Sequence, residues 1–197
     1  MKFAGVMAAM MVASPVSAQE VELPFTGPSV GVEAGLLEHH FVLQFENYEN
    51  DTLVASYDRY YRASSFGGGV FAGYDIAASR NWRLGLEIAG TTGGRDNRAT
   101  FETLVYEQRP QFGVRGTARA GYVLTPRVMA YGSVGYGGNR YRIRDALGIG
   151  DTNKWGSSFV VGGGAEYRLG RRYGVRFDVK HVDNQTWQAF VGMPIRF

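Results

Sequence analysis

Three groups of side chains in this 197-residue sequence could do chemistry. The largest is ionic: Arg83, Arg115, Arg119, Arg168, Arg176, Lys180 and Arg196 recur at alternate positions of successive segments, as do Glu33, Asp75, Glu87, Glu166 and Asp178. Gathered in one space, they would make either an anion-conducting passage or a plug of ion pairs. The second group is His181-Val182-Asp183-Asn184. A histidine base activates a serine, threonine or cysteine, but position 183 carries an aspartate, and no glutamate follows to orient the ring. No catalytic residue is therefore assigned. The third group, His39 and His40, is adjacent in sequence, so on a strand the two rings point to opposite faces and cannot easily share an ion. No Gly-Lys-Ser/Thr phosphate loop occurs either, and no metal or cofactor is expected.

Composition narrows what could position these groups. The chain has 28 Gly, 12 Tyr, 12 Phe and 3 Trp, a mixture that fits neither a coiled coil nor a disordered tail. Having no cysteine, it lacks a disulfide framework, zinc thiolates, a thiol nucleophile and a lipoprotein anchor. Its net charge of +3 gives little reason to expect a nucleic-acid partner. Mean hydropathy is slightly negative, so apolar and polar residues must be interspersed.

The first residues read as an address. Lys2, an apolar run from Phe3 to Ala13, the pair Ser14-Pro15 and then Val16-Ser17-Ala18 follow the order of a secretory signal, cut after Ala18. The apolar run is well short of the roughly 20 residues a spanning helix needs. The expected division is a cleaved signal at 1–18 and a single domain at 19–197.

That domain alternates with period two, the mark of strands with unlike faces. Val30, Val32, Ala34 and Leu36 begin the series, and Phe66 to Ile76, Trp82 to Ile88, Phe112 to Tyr122, Val128 to Tyr136, Phe159 to Leu169, Val175 to Val179 and Ala189 to Phe197 continue it. These are eight strands. Beyond Leu36 the apolar residues become odd-numbered, which predicts a β-bulge near Leu36 and Leu37. Short connections at 77–81, 124–127 and 170–172 alternate with long loops expected over 47–63, 91–110 and 138–156. The fold expected is all-β: an eight-stranded antiparallel up-and-down transmembrane β-barrel, with short periplasmic turns and long external loops.

Periodicity alone also permits a soluble ligand-binding barrel with the charged face outward. Two features favour the membrane. Tyr74, Trp82, Tyr122, Tyr136 and Tyr167 lie near strand ends, as an aromatic girdle would. Glycines such as Gly67, Gly73, Gly121 and Gly164 stand on the charged face, leaving room for long arginines inside a narrow barrel.

The segment RGTARAGYVLTPRVMAYGSVGYG, Arg115 to Gly137, resembles a hairpin of small outer-membrane β-barrel proteins of Gram-negative bacteria, the opacity and porin-like surface-antigen family. GGGVFAGYD, NWRLGLE, VVGGGAEYRL, YGVRFDVKHVD and the terminal VGMPIRF resemble the same family in the same order. The resemblance implies an outer-membrane location, insertion by the barrel-assembly machinery reading a last strand that ends in Phe197, and a structural or surface-contact role without catalysis. Some eight-stranded barrels deacylate lipid A with a His-x-Ser pair, which Asp183 breaks here. Thr117-Ala118 and Pro194 also depart from the pattern, and Pro194, lacking an N–H, should leave the last strand locally unpaired.

The expected partners are the lipid bilayer, lipopolysaccharide, which Arg140, Arg142, Arg144 and Lys154 could meet through its phosphates, and an unknown surface ligand. Tyr48, Tyr57, Tyr60 and Tyr61 with Arg59 and Arg62 form a candidate adhesive patch. For the ionic group the expected role is a structural plug in a monomer, because eight strands enclose only enough space for side chains. The alternative is a narrow anion-selective channel.

Overall fold

A computed structural model of the chain describes residues 23–49, 52–101, 104–145, 151–182 and 186–197. Nine strands follow in order: β1 (Gly27–Glu49), β2 (Thr52–Ala77), β3 (Trp82–Gly93), β4 (Asn97–Phe101), β5 (Leu104–Thr125), β6 (Val128–Asp145), β7 (Asp151–Arg168), β8 (Gly174–Val182) and β9 (Thr186–Arg196). Sequence neighbours other than β3 and β4 pair antiparallel, and β1 also pairs β9, from Ser29↔Arg196 to His39↔Thr186. The sheet therefore closes on itself.

The barrel has eight staves, because β3 and β4 share one. β5 pairs β3 through its second half, Thr92↔Phe112 to Trp82↔Tyr122, and β4 through its first, Phe101↔Leu104 to Asn97↔Gln108. The stave breaks at Gly93 and Gly94, whose φ values of 116° and 122° suit glycine and few other residues.

Alternation sorts the side chains by face. Val32, Val70, Leu86, Ile88, Val134, Phe159, Val161, Phe177 and Val191 are each more than half exposed on the outside. Glu33, Asp75, Glu87, Arg115, Arg119, Glu166, Arg176, Asp178, Lys180 and Arg196 are buried on the inside. A water-soluble protein buries the first set and exposes the second; here the core is ionic and the surface oily. The buried apolar cluster is small, Phe25, Val123, Met129 and Tyr131 at the short-turn end.

Three expectations change. No bulge occurs at Leu36 and Leu37: both pair in register with Phe66 and Ser65 on one side and with Ala189 and Gln188 on the other. Leu36 faces out and Leu37 is 2% exposed, so the face does not switch between them. What switches is the chemistry of the inward position, where Leu37 packs over Gly67 on the same face as Glu33. The register of β1 and β2 shifts farther on, between Asn47 and Tyr48. The long loops are largely strand as well: β1 and β2 stay paired to Glu49↔Thr52, and β6 and β7 to Arg144↔Asp151. Ladder hydrogen bonds satisfy the backbone wherever the chain goes, so strands can outrun the apolar band that signals them.

Pro194 is paired with Gly31 of β1, while the β8–β9 ladder stops at Arg176↔Gly192 and resumes as a single bridge, Tyr173↔Ile195. The Arg196 N–H donates to the Arg172 carbonyl on the β8 side. Residue 194 has the same parity, so its missing N–H is lost opposite Gly174, on that side alone.

Candidate functional site

The inward side chains of seven strands, β1, β2, β3, β5, β7, β8 and β9, meet in one connected network. Arg115 binds Glu33; the other Glu33 oxygen takes Arg176 Nη2 at 2.7 Å, and Arg176 also binds Glu87. Glu87 lies 3.6 Å from both Arg119 and Lys180. Arg119 binds Asp75, with Nε donating to Oδ1 at 2.7 Å. Asp75 accepts from Arg196 at 2.9 Å, and Arg196 forks onto both oxygens of Glu166 at 2.9 Å. Lys180 binds Asp178, which lies 3.7 Å from Arg176. Five cations thus face five carboxylates, and every one of the ten is buried. Burying a lone charge costs several kcal/mol, about 3–5 kcal/mol when one partner is deleted. The balance of sign lets the group stand inside a membrane-sized cylinder.

Aromatic rings and absent side chains fix the geometry. The Arg176 guanidinium lies 3.7 Å from the centre of the Phe71 ring, and Arg119 lies 5.4 Å from that of Tyr131. Cations over ring faces are held by the ring quadrupole. Phe71 occupies space left by Gly31 and Gly192 on the neighbouring strands; a Cβ at Gly31 would collide with its ring.

Above and below this layer the interior differs. Toward the long-strand end, Thr186 Oγ1 meets His39 Nδ1 and the Tyr141 hydroxyl, each at 3.1 Å, and Gln188 accepts from Arg115 at 3.0 Å. At the short-turn end Phe25, 1% exposed, packs beside Met129 and Tyr131, with Arg168 and Arg196 over its ring. Phe25 has a φ of 63°, which is strained for a residue with a Cβ. No periodic signal marks a lone aromatic ahead of β1.

Two cations from the sequence-derived set stand apart. Arg83 is buried, yet it donates to main-chain carbonyls: Nε to Pro24 at 2.7 Å and Nη1 to Ser79 at 3.0 Å. Arg168 is half-buried and donates to the Arg171 carbonyl at 3.0 Å. Both sit at strand ends, where an inward side chain meets the rim instead of the centre.

Tyr74, Trp82, Tyr122, Tyr136 and Tyr167 all face outward and are exposed. Trp82 and Tyr122 pack edge-to-face at 5.2 Å near the short-turn end. Tyr136 lies toward the other end, edge-on to Phe159 at 6.0 Å. Phe112 and Trp155, 5.9 Å apart, extend that second belt, and Tyr173 the first. Phe112 and Tyr122 are ten positions apart on β5, the length of about 9–11 residues by which a tilted strand crosses a bilayer. Phe197 is outward and exposed, its N–H donating to the Pro28 carbonyl at 3.1 Å.

His39 is inside and His40 is at the surface, where its Nε2 meets Glu38 at 2.7 Å. That hydrogen bond, with a weaker one from Ser64, holds the Glu38 carboxyl below its usual pKa. His181 lies against the Trp187 ring on the outer face, 4.7 Å between centres, away from the buried acids. Asp183 and Asn184 lie outside the described residues. Arg140, Arg144, Lys154 and Tyr60 are exposed on the paired extensions.

A cylinder with an oily outside, two aromatic belts and an ionic inside has one solvent that fits it. The family model of the outer membrane protein beta-barrel domain matches residues 4–191. The chain belongs to that family. This barrel-domain protein is also similar to curated relatives, the 31 kDa outer-membrane immunogenic proteins of Brucella melitensis biotype 1 and Brucella suis biovar 1. Each is 27% identical over 186 residues, covering 86% of this chain and 75% of the relative. Among solved structures it resembles Neisserial surface protein A, with a TM-score of 0.52 at 14% identity, covering 87% of this chain and 98% of that one. It also resembles Ail, the attachment invasion locus protein of Yersinia pestis, with a TM-score of 0.51 at 14% identity over 87% and 99%. At that identity the two structures speak to the fold alone. The barrel is an outer-membrane protein.

Proposed function

We propose that the barrel is a non-conducting membrane anchor and that its work is surface contact, done by the paired strands that extend beyond the apolar band. The single observation carrying this reading is where the charges lie, buried together in the lumen and exposed on the extension. Inside, five cations and five carboxylates are buried against one another across the middle of the barrel. On the β6–β7 extension, Arg140, Arg144 and Lys154 are exposed to solvent, with Arg142 half-buried beside them.

The partner class that suits this extension is a phosphate- or sulfate-bearing glycan, lipopolysaccharide on the cell itself or a sulfated polymer on another surface, because arginine forks match such oxyanions. Ail was crystallised with the heparin analogue sucrose octasulfate, which supports the same chemistry for a barrel of this shape. The short-turn rim then faces the periplasm.

The test is retention of cells displaying the protein on immobilised heparin. Retention that falls with added salt and is lost when Arg140, Arg142, Arg144 and Lys154 become Gln is the expected result. Retention no greater than that of cells lacking the protein would refute surface contact through this extension.

A further inference from the structure

The short-turn rim carries a charge pattern opposite to that of the lumen. Each of its three turns holds arginine: Arg80 between β2 and β3, Arg127 between β5 and β6, and Arg171 with Arg172 between β7 and β8. All four are exposed, and Arg168 joins them from the end of β7. No Asp or Glu side chain lies in these turns or in the described lead-in from Leu23 to Pro28. Every carboxylate of the lumen is already bound to lumen cations.

The side chains converge. Arg168, Arg171, Arg172 and Arg196 line a cavity with Phe25 and Phe197. Arg196 is committed to Glu166 and Asp75. Arg168 spends one N–H on the Arg171 carbonyl and rests over Phe25, keeping the remaining donors of its fork for a ligand. The Arg168 N–H also donates to the Arg127 carbonyl at 2.8 Å, which brings the adjoining turn to the same place.

Depth identifies the ligand. Tyr167, Leu169 and Tyr173 flank the Arg171–Arg172 turn, face outward and are 44%, 63% and 54% exposed. Aromatic residues with apolar neighbours in that position sit at the membrane–water interface, which puts the arginines at headgroup level. The oxyanion available there is a phosphodiester.

We propose that Arg168, Arg171 and Arg172, with Arg80 and Arg127 around the rim, form a cationic collar that binds anionic phospholipid headgroups of the periplasmic leaflet. A lipid with one net negative charge, such as phosphatidylglycerol, is preferred over zwitterionic phosphatidylethanolamine, whose own amine competes for the phosphate. The collar holds the barrel at fixed depth from the side opposite its surface contacts, and it rests on the barrel reading but not on what the external extension binds.

The full protein is reconstituted in nanodiscs of mixed phosphatidylethanolamine and phosphatidylglycerol, and the lipids retained on release into mild detergent are counted by native mass spectrometry. Wild type is expected to retain phosphatidylglycerol preferentially. R168Q/R171Q/R172Q is expected to lose at least about fivefold of that preference, while R140Q/R144Q/K154Q keeps it. Lysine at the three positions restores part of it, having charge without the fork. Equal retention of both lipids by wild type, or a preference the triple Gln variant leaves unchanged, overturns the proposal. Arginine-dependent binding to isolated peptidoglycan sacculi, with no lipid selection, overturns it in favour of the cell wall. A gel shift on boiling, checked for each variant, separates these outcomes from failure of the barrel itself.

Discussion

The guanidinium of Arg176 lies over the ring of Phe71, 3.7 Å from its centre, while its two Nη groups reach Glu33 and Glu87. One side chain thus joins an aromatic face on β2 to carboxylates on β1 and β3, from across the barrel on β8. Replacing Arg176 by Met leaves Glu33 and Glu87 short of charge in a buried site, and a loss of about 3–5 kcal/mol is expected. Arg176→Lys keeps the charge and loses both the fork and the guanidinium over the ring, so it should fall between the two. Urea unfolding in detergent, followed by gel mobility without boiling, measures the order.

Gly31 and Phe71 form a second pair to test. A Cβ at position 31 meets the Phe71 ring, so Gly31→Val should cost about 1–3 kcal/mol by overpacking. Shrinking the ring in the Gly31→Val/Phe71→Leu double variant should recover part of that cost. A double-mutant cycle with no coupling would disconnect the two residues.

Phe25 offers a test whose sign is unusual. Its ring is buried among Val123, Met129 and Tyr131, and its φ of 63° belongs to the left-handed region. Phe25→Ala loses the ring and keeps the strain, at a cost of about 3–5 kcal/mol. Phe25→Gly removes more of the side chain and relieves the backbone by about 1–2 kcal/mol, so it should be the more stable of the two. Unfolding midpoints in the same detergent decide it.

Export predicts a mass. The protein taken from membranes should begin at Gln19, after a cut following Ala18. Intact-mass measurement of the purified chain checks this, and a mass retaining Lys2 would contradict it.

The sequence made the staves and their two faces legible because a strand's side chains alternate without regard to what lies beyond it. Parity alone put Glu33, Glu87, Arg115, Arg119 and Arg176 on one face. Depth along the barrel has no such signature. Arg83 and Arg168 share the parity of the network and end at the rim on main-chain carbonyls. The change from even to odd apolar residues after Leu36 reads as a slipped strand, when the strand is regular there and an apolar side chain, Leu37, takes an inward position. Phe25 leaves no trace in a periodic pattern because its place is set by a single backbone turn. The strand extensions beyond the apolar band read as loops, since polar residues on both faces erase the alternation that pairing does not require.

The central claim is that the ten buried charges bind one another and close the lumen. Single-channel recording of the purified protein in planar bilayers tests it most directly. Membranes containing wild type should stay at baseline, without resolved steps, at high and low salt. Stable, ohmic, anion-selective steps from protein that also shifts on boiling would contradict the account and make the arginines of the lumen a conduction path.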